Sequence, residues 1–138
     1  MEQTAARLTE AEAKLFEGRN WGNIATLRAD GSPHVTPVWV DYDGPHVLVN
    51  SAYGRAKVRH IQRDPRVSID VLPAEDQQAG YVTVSGTAEL VDEGADEHID
   101  KLAKKYLGLD AYPYRSPDEK RVIIRITPER VGSMGLGR

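Results

Sequence analysis

The chain has no cysteine among its 138 residues. That absence excludes a disulfide scaffold, a zinc–thiolate centre, an iron–sulfur cluster and a cysteine nucleophile. No apolar run approaches the ~18–20 residues that a membrane-spanning helix needs. The opening stretch MEQTAARLTEAEAKLF carries three Glu and lacks the apolar segment of a secretory signal. A cytoplasmic chain without a membrane span is therefore expected. Positive charge is not in excess either: 18 Lys and Arg stand against 21 Asp and Glu, for a net charge of −3 and a pI near 5.8. Nothing global draws such a chain to nucleic acid or anionic lipid, and no nucleic-acid partner is expected. Any anion site has to be a local cluster of cations.

Catalytic signatures are equally sparse. His34, His46, His60 and His98 show no metal-ligand spacing and read as exposed or half-buried surface residues, so no metal site is expected. The chain has no Walker loop, no glycine fingerprint after a strand and no nucleophile elbow. Gly132, Gly135 and Gly137 read as a flexible terminus, and Asp92, Glu93, Asp96 and Glu97 as carboxylates favoured at a helix N-terminus. No protein nucleophile or acid–base residue is assigned.

What remains is ordinary globular composition, 40 % hydrophobic and 28 % charged, at a length that suits one domain, residues 1–138. Thr9 and Glu12 form a capping-box pair before a helix whose apolar stripe is Leu8, Ala11 and Leu15, with Gly18 as its stop. From Trp21 the pattern turns extended. WGNIATLRA, SPHVTPVWVDY and PHVLVNS are separated by Asp30-Gly31 and Asp43-Gly44, two hairpin signals. Pro33 and Pro37 fall inside the second segment, which must then have an unpaired side. GRAKVRHIQR is a short helix ended by Asp64-Pro65; RVSIDVL and GYVTVSGTAELV are strands, the latter with a bend or bulge at Gly86. ADEHIDKLAKKYLG is an amphipathic helix with Ile99, Leu102 and Tyr106 on one face, and RVIIRIT is the last strand. About six strands and three helices, rich in hairpins, predict a mainly β chain: a small antiparallel barrel with peripheral helices.

One constellation carries chemistry. Asn50, Ser51, Arg55 and Lys57 join the end of a strand to the start of a helix, with Arg59 and Arg63 further along on what reads as a solvated basic face. Free N–H groups at the helix start, the Ser51 hydroxyl and two cations suit a phosphate, although basic residues near helix starts are also common without one.

The runs TLRADGSPHVTPVW, NSAYGRAK and RDPRV, in that order, with HIDKLAKKYLG and RVIIRITP after them, resemble the pyridoxamine-phosphate-oxidase-like split β-barrel family. Within it the resemblance is to the branch that binds the deazaflavin coenzyme F420, and it covers roughly residues 20–131. The resemblance implies a six-stranded antiparallel split barrel, working as a homodimer with two cofactors in grooves between the protomers. It implies that Ser51, Arg55 and Lys57 hold the cofactor phosphate or adjoining tail, that Thr36, Pro37 and Val38 lie beside the tricyclic ring, and that Asn50 is a polar neighbour. It further implies hydride transfer from the reduced deazaflavin to a small organic acceptor such as a quinone, a conjugated enone or a tetrapyrrole. Trp39, Tyr53, Tyr81, Tyr112 and Tyr114 are candidate walls, or ordinary packing aromatics. An FMN-dependent oxidase or flavin reductase of the same fold, a protein that stores F420 without turnover, and haem handling are the alternatives.

Overall fold

The computed structural model describes residues 6–136. Ten elements follow one another: α1 (Glu10–Glu17), β1 (Trp21–Leu27), β2 (Pro33–Trp39), β3 (Asp41–Tyr42), β4 (Val47–Ala52), α2 (Ala56–Arg63), β5 (Arg66–Val71), β6 (Tyr81–Val91), α3 (Ala95–Leu107) and β7 (Arg121–Met134). All neighbours in the sheet are antiparallel, in the order β2-β1-β5-β6-β7-β4-β3. The strands at the two ends of that order, β2 and β3, are separated in the chain by Val40 alone. One residue cannot span a flat sheet, so the sheet curls until its edges meet. The fold is thus the expected mainly β split barrel, but with seven strands. The extended run 33–42 changes partner at Val40, pairing with β1 before it and β4 after it.

That change of partner has a cost in hydrogen bonding. Val40 is fully buried, yet it belongs to neither ladder. Its N–H donates to the Tyr106 hydroxyl at 3.0 Å, and its carbonyl accepts from the Lys105 ammonium at 2.5 Å. Buried backbone groups need partners, and α3 provides both. The Tyr106 hydroxyl donates in turn to the Asn20 carbonyl at 2.6 Å, and Lys105 reaches the Phe16 carbonyl at 2.8 Å. Helix α3 therefore fastens α1 and the β2–β3 junction together.

Local signals explain the rest. Thr9 and Glu12 form the capping box, with Glu12 Oε1 accepting from the Thr9 N–H at 2.8 Å and Thr9 Oγ1 accepting from the Glu12 N–H at 3.2 Å. The buried face of α1 is Glu12, Ala13, Leu15 and Phe16 rather than the stripe through Ala11, because Glu12 is drawn inward by a second bond from the Ser133 hydroxyl at 2.6 Å. Both Asp-Gly turns form, with Gly31 and Gly44 at φ +85° and +112°. Pro33 and Pro37 sit on β2, an edge strand, where a missing N–H is tolerated. Helix α2 starts at Ala56, two residues later than the sequence suggests, since Gly54 takes φ +95° and Arg55 is extended. The last strand does not stop at Thr127. It continues past Pro128 to Met134, because the register shifts between Ser85 and Gly86 and places Gly86 opposite Pro128. Gly132, read as part of a flexible tail, pairs with Thr83; Gly137 lies outside the described residues.

Inside the barrel, Ile24, Val40, Val49, Val71, Val82 and Ile124 are almost wholly buried, with Phe16 of α1 and Val58 of α2 closing it. A second cluster lies outside: Ile99, Leu102 and Tyr106, the face foreseen for α3, pack with Trp39 and Tyr112.

Candidate functional site

A cleft of about 170 Å³ opens where β2, β4, the start of α2 and α3 converge. It is lined by Pro37 and Val38 of β2, Asn50 of β4, and Arg55 and Lys57 at the start of α2. Five of the seven residues singled out from the sequence therefore come together. Thr36 and Ser51 do not line the cleft; each is one position away along its strand, and each has a buried hydroxyl without a hydrogen-bond partner. Ser51 is 1 % exposed and shares the inward face of β4 with Val47 and Val49.

The cleft has two kinds of lining, which meet where the Arg121 guanidinium lies over the Tyr112 ring, 5.1 Å from its centroid. One is aromatic and apolar: Trp21, Trp39, Tyr112 and Tyr114 form it. Trp39 stacks on Tyr106 at 5.1 Å between centroids with the planes 4° apart, and Tyr112 meets Trp39 edge-on at 6.2 Å. Tyr53 and Tyr81, also considered as walls, are not part of it; Tyr53 donates instead to Asp92 at 2.5 Å. The other is cationic. Arg55, Lys57 and Arg121 form it, and the one carboxylate paired with them among the described residues is Glu119, whose Oε1 accepts from Arg55 at 3.1 Å and from Arg121 at 2.7 Å. Lys57 has no hydrogen-bond or ion-pair partner among the described residues. Burial first, and then the like charges of Arg55 and Arg121, push its ammonium below the ordinary lysine value. Two cations sharing one carboxylate, with Lys57 unpaired beside them among the described residues, leave an excess of positive charge in a partly desolvated recess. This is an arrangement that favours an anion.

Asn50 proves to be committed to the protein. Its Nδ2 donates to the Ala95 carbonyl at 2.9 Å and to His98 Nδ1 at 3.1 Å, while its Oδ1 accepts from Arg121 Nε at 2.9 Å. His98 is 8 % exposed, so it is a buried, hydrogen-bonded histidine and not the surface residue that its spacing suggested. Arg59 and Arg63 are exposed, but each is tied to a backbone carbonyl, Arg59 to Gly54 and Arg63 to Leu27, the latter at 2.7 Å. They fasten α2 to its own start and to β1 and are not a free basic face. The acidic group at the start of α3 is likewise structural: Asp92 pairs with Lys120 at 3.3 Å and Asp96 with Arg115 at 2.9 Å. Among the described residues no three His, Asp or Glu side chains gather as a metal site, and no helix is long and apolar enough to cross a membrane.

Sequence reasoning missed Trp21, Glu119 and Arg121. The available signal for Arg121 was its place at the head of the apolar run RVIIRIT, where it pairs in register with Ala52 and is 5 % exposed.

A family model described as pyridoxamine 5'-phosphate oxidase matches residues 8–135. A 5a,11a-dehydrotetracycline/5a,11a-dehydrooxytetracycline reductase of Streptomyces rimosus is 27 % identical over 135 residues, covering 93 % of this chain and 83 % of that protein. Among solved structures, one titled F420 reductase superposes with a TM-score of 0.77 at 28 % identity, covering 91 % of this chain and 98 % of the other. A conserved hypothetical protein of Mycobacterium tuberculosis superposes with a TM-score of 0.69 at 26 % identity, over 96 % and 89 % of the two chains.

Proposed function

The chain belongs to the pyridoxamine 5'-phosphate oxidase family, and from that premise we propose that it is a reductase which uses coenzyme F420 to reduce a small organic acceptor. The observation that carries this reading is the mixed lining of the cleft: Lys57, unpaired among the described residues, beside Arg55 and Arg121, in one recess with Trp21, Trp39 and Tyr112. A ligand that fits both kinds of lining has a flat conjugated ring and an acidic tail. A deazaflavin nucleotide has both, and so does FMN. The likeness to a structure titled F420 reductase favours the deazaflavin, and the likeness to a dehydrotetracycline reductase favours a reductase.

In this reading Arg55, Lys57 and Arg121 hold the phosphate, assisted by the uncapped start of α2. Pro37 and Val38 lie against the ring, on the edge strand where Pro37 keeps its backbone out of any further ladder. Thr36 and Ser51 flank these groups one position away along their strands, with buried hydroxyls that have no partner among the described residues; Ser51 faces the barrel interior behind the cleft. When bound, the reduced cofactor supplies the hydride. The chain's own share is to bind the anion, fix the ring and keep water from its face, work that needs no protein nucleophile. Trp21 and Val35 on the outer face of β1 and β2 are 56 % and 59 % exposed, which supports a homodimer that covers this face.

Fluorescence titration of the purified protein with F420 and with FMN tests the assignment. Tighter binding of F420, and deuterium passing from ring-deuterated F420 into a reduced acceptor, are expected. Tighter binding of FMN would make it an FMN oxidase or flavin reductase, and F420 bound without turnover across quinones and enones would make it a storage protein.

A further inference from the structure

Behind the cationic lining of the cleft runs an unbroken line of buried polar groups. Arg121, His98 and Asp41 are 5 %, 8 % and 5 % exposed, and Asn50 lies between the first two. Arg121 Nε donates to Asn50 Oδ1 at 2.9 Å; Asn50 Nδ2 donates to His98 Nδ1 at 3.1 Å; His98 Nε2 meets Asp41 Oδ2 at 3.1 Å. Lys101 closes the line from the solvent side, donating to the same Asp41 oxygen at 3.1 Å.

The direction of every bond in this line is fixed. The Ala95 carbonyl, 2.9 Å from Asn50 Nδ2, allows only the amide's NH₂ on that side. The second Nδ2 hydrogen then faces His98 Nδ1, which has to be the lone-pair nitrogen. The imidazole proton is therefore on Nε2, where Asp41 accepts it. The far end of the amide can only present an oxygen, and that oxygen takes Arg121 Nε. Glu119 takes Nη1 at 2.7 Å. Nη2 has no partner among the described residues, and Arg121 lines the cleft. The guanidinium is thus held along its inner edge and over the Tyr112 ring, 5.1 Å from its centroid, with Nη2 left for a ligand. None of these side chains except Asn50 and Arg121 lines the cleft.

We propose that Asp41 and His98 are positioning residues, acting through Asn50 to hold Arg121 in the orientation that presents its Nη2 to the ligand's anionic tail. The proposal rests on the reading of the cleft as a cofactor site. It assigns a role to a buried Asp–His pair on α3 and the β2–β3 junction that packing alone does not require, since an apolar pair of similar volume would fill the same space without polar groups to satisfy.

Three substitutions separate positioning from structure. An asparagine at position 98 puts an acceptor oxygen where His98 has Nδ1 but cannot reach Asp41. A glutamine puts an amide donor where His98 has Nε2, satisfying Asp41 but not Asn50. A leucine does neither. F420, titrated by fluorescence, is the probe. His98→Asn is expected to keep most of the affinity, while His98→Gln and His98→Leu lose about tenfold or more. Stability in urea is expected to rank the other way, with His98→Gln above His98→Asn, because a hydrogen bond to a charged group contributes more than a neutral one. Affinity that follows stability across all three variants would overturn the proposal. A second readout needs no ligand: the Arg121 Nε–H resonance should exchange slowly with water in the wild type and in His98→Asn, and rapidly in His98→Gln and His98→Leu. Slow exchange in all of them would overturn the positioning role. If the wild type binds neither F420 nor FMN, the cofactor reading falls, and the Arg121 resonance still decides the role of His98.

Discussion

Lys57→Met is the most informative single change, because ligand binding and stability should move independently. Methionine keeps the apolar length of the side chain and removes the charge. Lys57 makes no ion pair or hydrogen bond among the described residues, and its ammonium is disfavoured by burial and by Arg55 and Arg121. Folding therefore gains nothing from the charge, and the urea midpoint of Lys57→Met should equal or slightly exceed that of the wild type. Binding should suffer. A charged hydrogen bond to an anionic ligand contributes roughly 1.5–3 kcal/mol, about tenfold to a hundredfold in affinity.

The two neighbouring arginines give the contrast. Arg55 pairs with Glu119 across a side chain that is 51 % exposed, and Glu119 keeps Arg121 if Arg55 is lost. Arg55→Met should thus cost affinity and little stability. The Arg121 side chain is 3 % exposed and satisfies both Asn50 and Glu119. Arg121→Met leaves those acceptors without their buried donor and should cost about 3 kcal/mol or more of stability besides affinity. Isothermal titration with F420 and urea unfolding followed by Trp fluorescence measure the two quantities. If Lys57→Met loses as much stability as Arg121→Met, or binds F420 as tightly as the wild type, the cationic recess is structural and not a ligand site.

Other groups make their own predictions. Tyr106→Phe removes the acceptor for the Val40 N–H and should destabilise the fold by about 1–3 kcal/mol, a loss read by urea midpoint; an unchanged midpoint would show that water replaces the hydroxyl. Gly86→Ala would bring a Cβ within 2.0 Å of the Thr127 carbonyl oxygen, so it should abolish the bulge and with it the folded yield, measured by circular dichroism. Asp41 feels burial, which raises its pKa, but the bonds from His98, the Tyr42 N–H and Lys101 outweigh it and hold the carboxyl at about 2, below its ordinary 3.8. Its contribution, on the order of 2 kcal/mol, is therefore complete above pH ~4 and is lost as the pH falls toward 2; Asp41→Asn should flatten acid unfolding in that window. Burial pushes Lys105 down to about 8 and Tyr106 up to about 12. Between pH 8 and the tyrosine's ordinary value of 10, the unfolded chain holds more protons at Lys105 than the folded one, so stability should rise; above 10 the unfolded chain releases its Tyr106 proton first, and stability should fall. Lys105→Met should remove the rise.

Much of the fold was legible because its signals are local. The capping box at Thr9, the Asp-Gly turns, the stop at Asp64-Pro65 and the bulge at Gly86 each need only a few adjacent residues. The prolines of β2 announced an edge strand without saying which edge. What was missed is non-local. Nothing in DYDG says that Asp41 is buried against a histidine 57 residues away, and nothing in VWVDY marks Val40 as the point where one strand becomes two. The continuation of β7 past Pro128 depends on a register shift in the partner strand, which the sequence of β7 does not contain. For the same reason His98 read as a surface residue: its helix spacing is visible in sequence, but the polar groups that make its burial tolerable belong to β3 and β4.

The cleft stands where it does as a consequence of closing the sheet. Bringing β2 and β3 together at Val40 leaves two backbone groups outside any ladder, and α3 is needed to satisfy them through Tyr106 and Lys105. Once α3 is fixed against that junction, the same buried face carries Ile99 and Leu102 to the cleft, and His98 meets Asn50 of β4. The edge strand with its prolines, the uncapped start of α2 and Arg121 of β7 are then forced to share one recess. The recess residues Ile99 and Leu102 precede the closure residues Lys105 and Tyr106 on the same helix, and Tyr106 joins the two roles, capping the strand switch and stacking on Trp39 of the recess wall. Closing the barrel and building the site are in this protein a single event, and a substitution that frees α3 from Val40 should loosen both together.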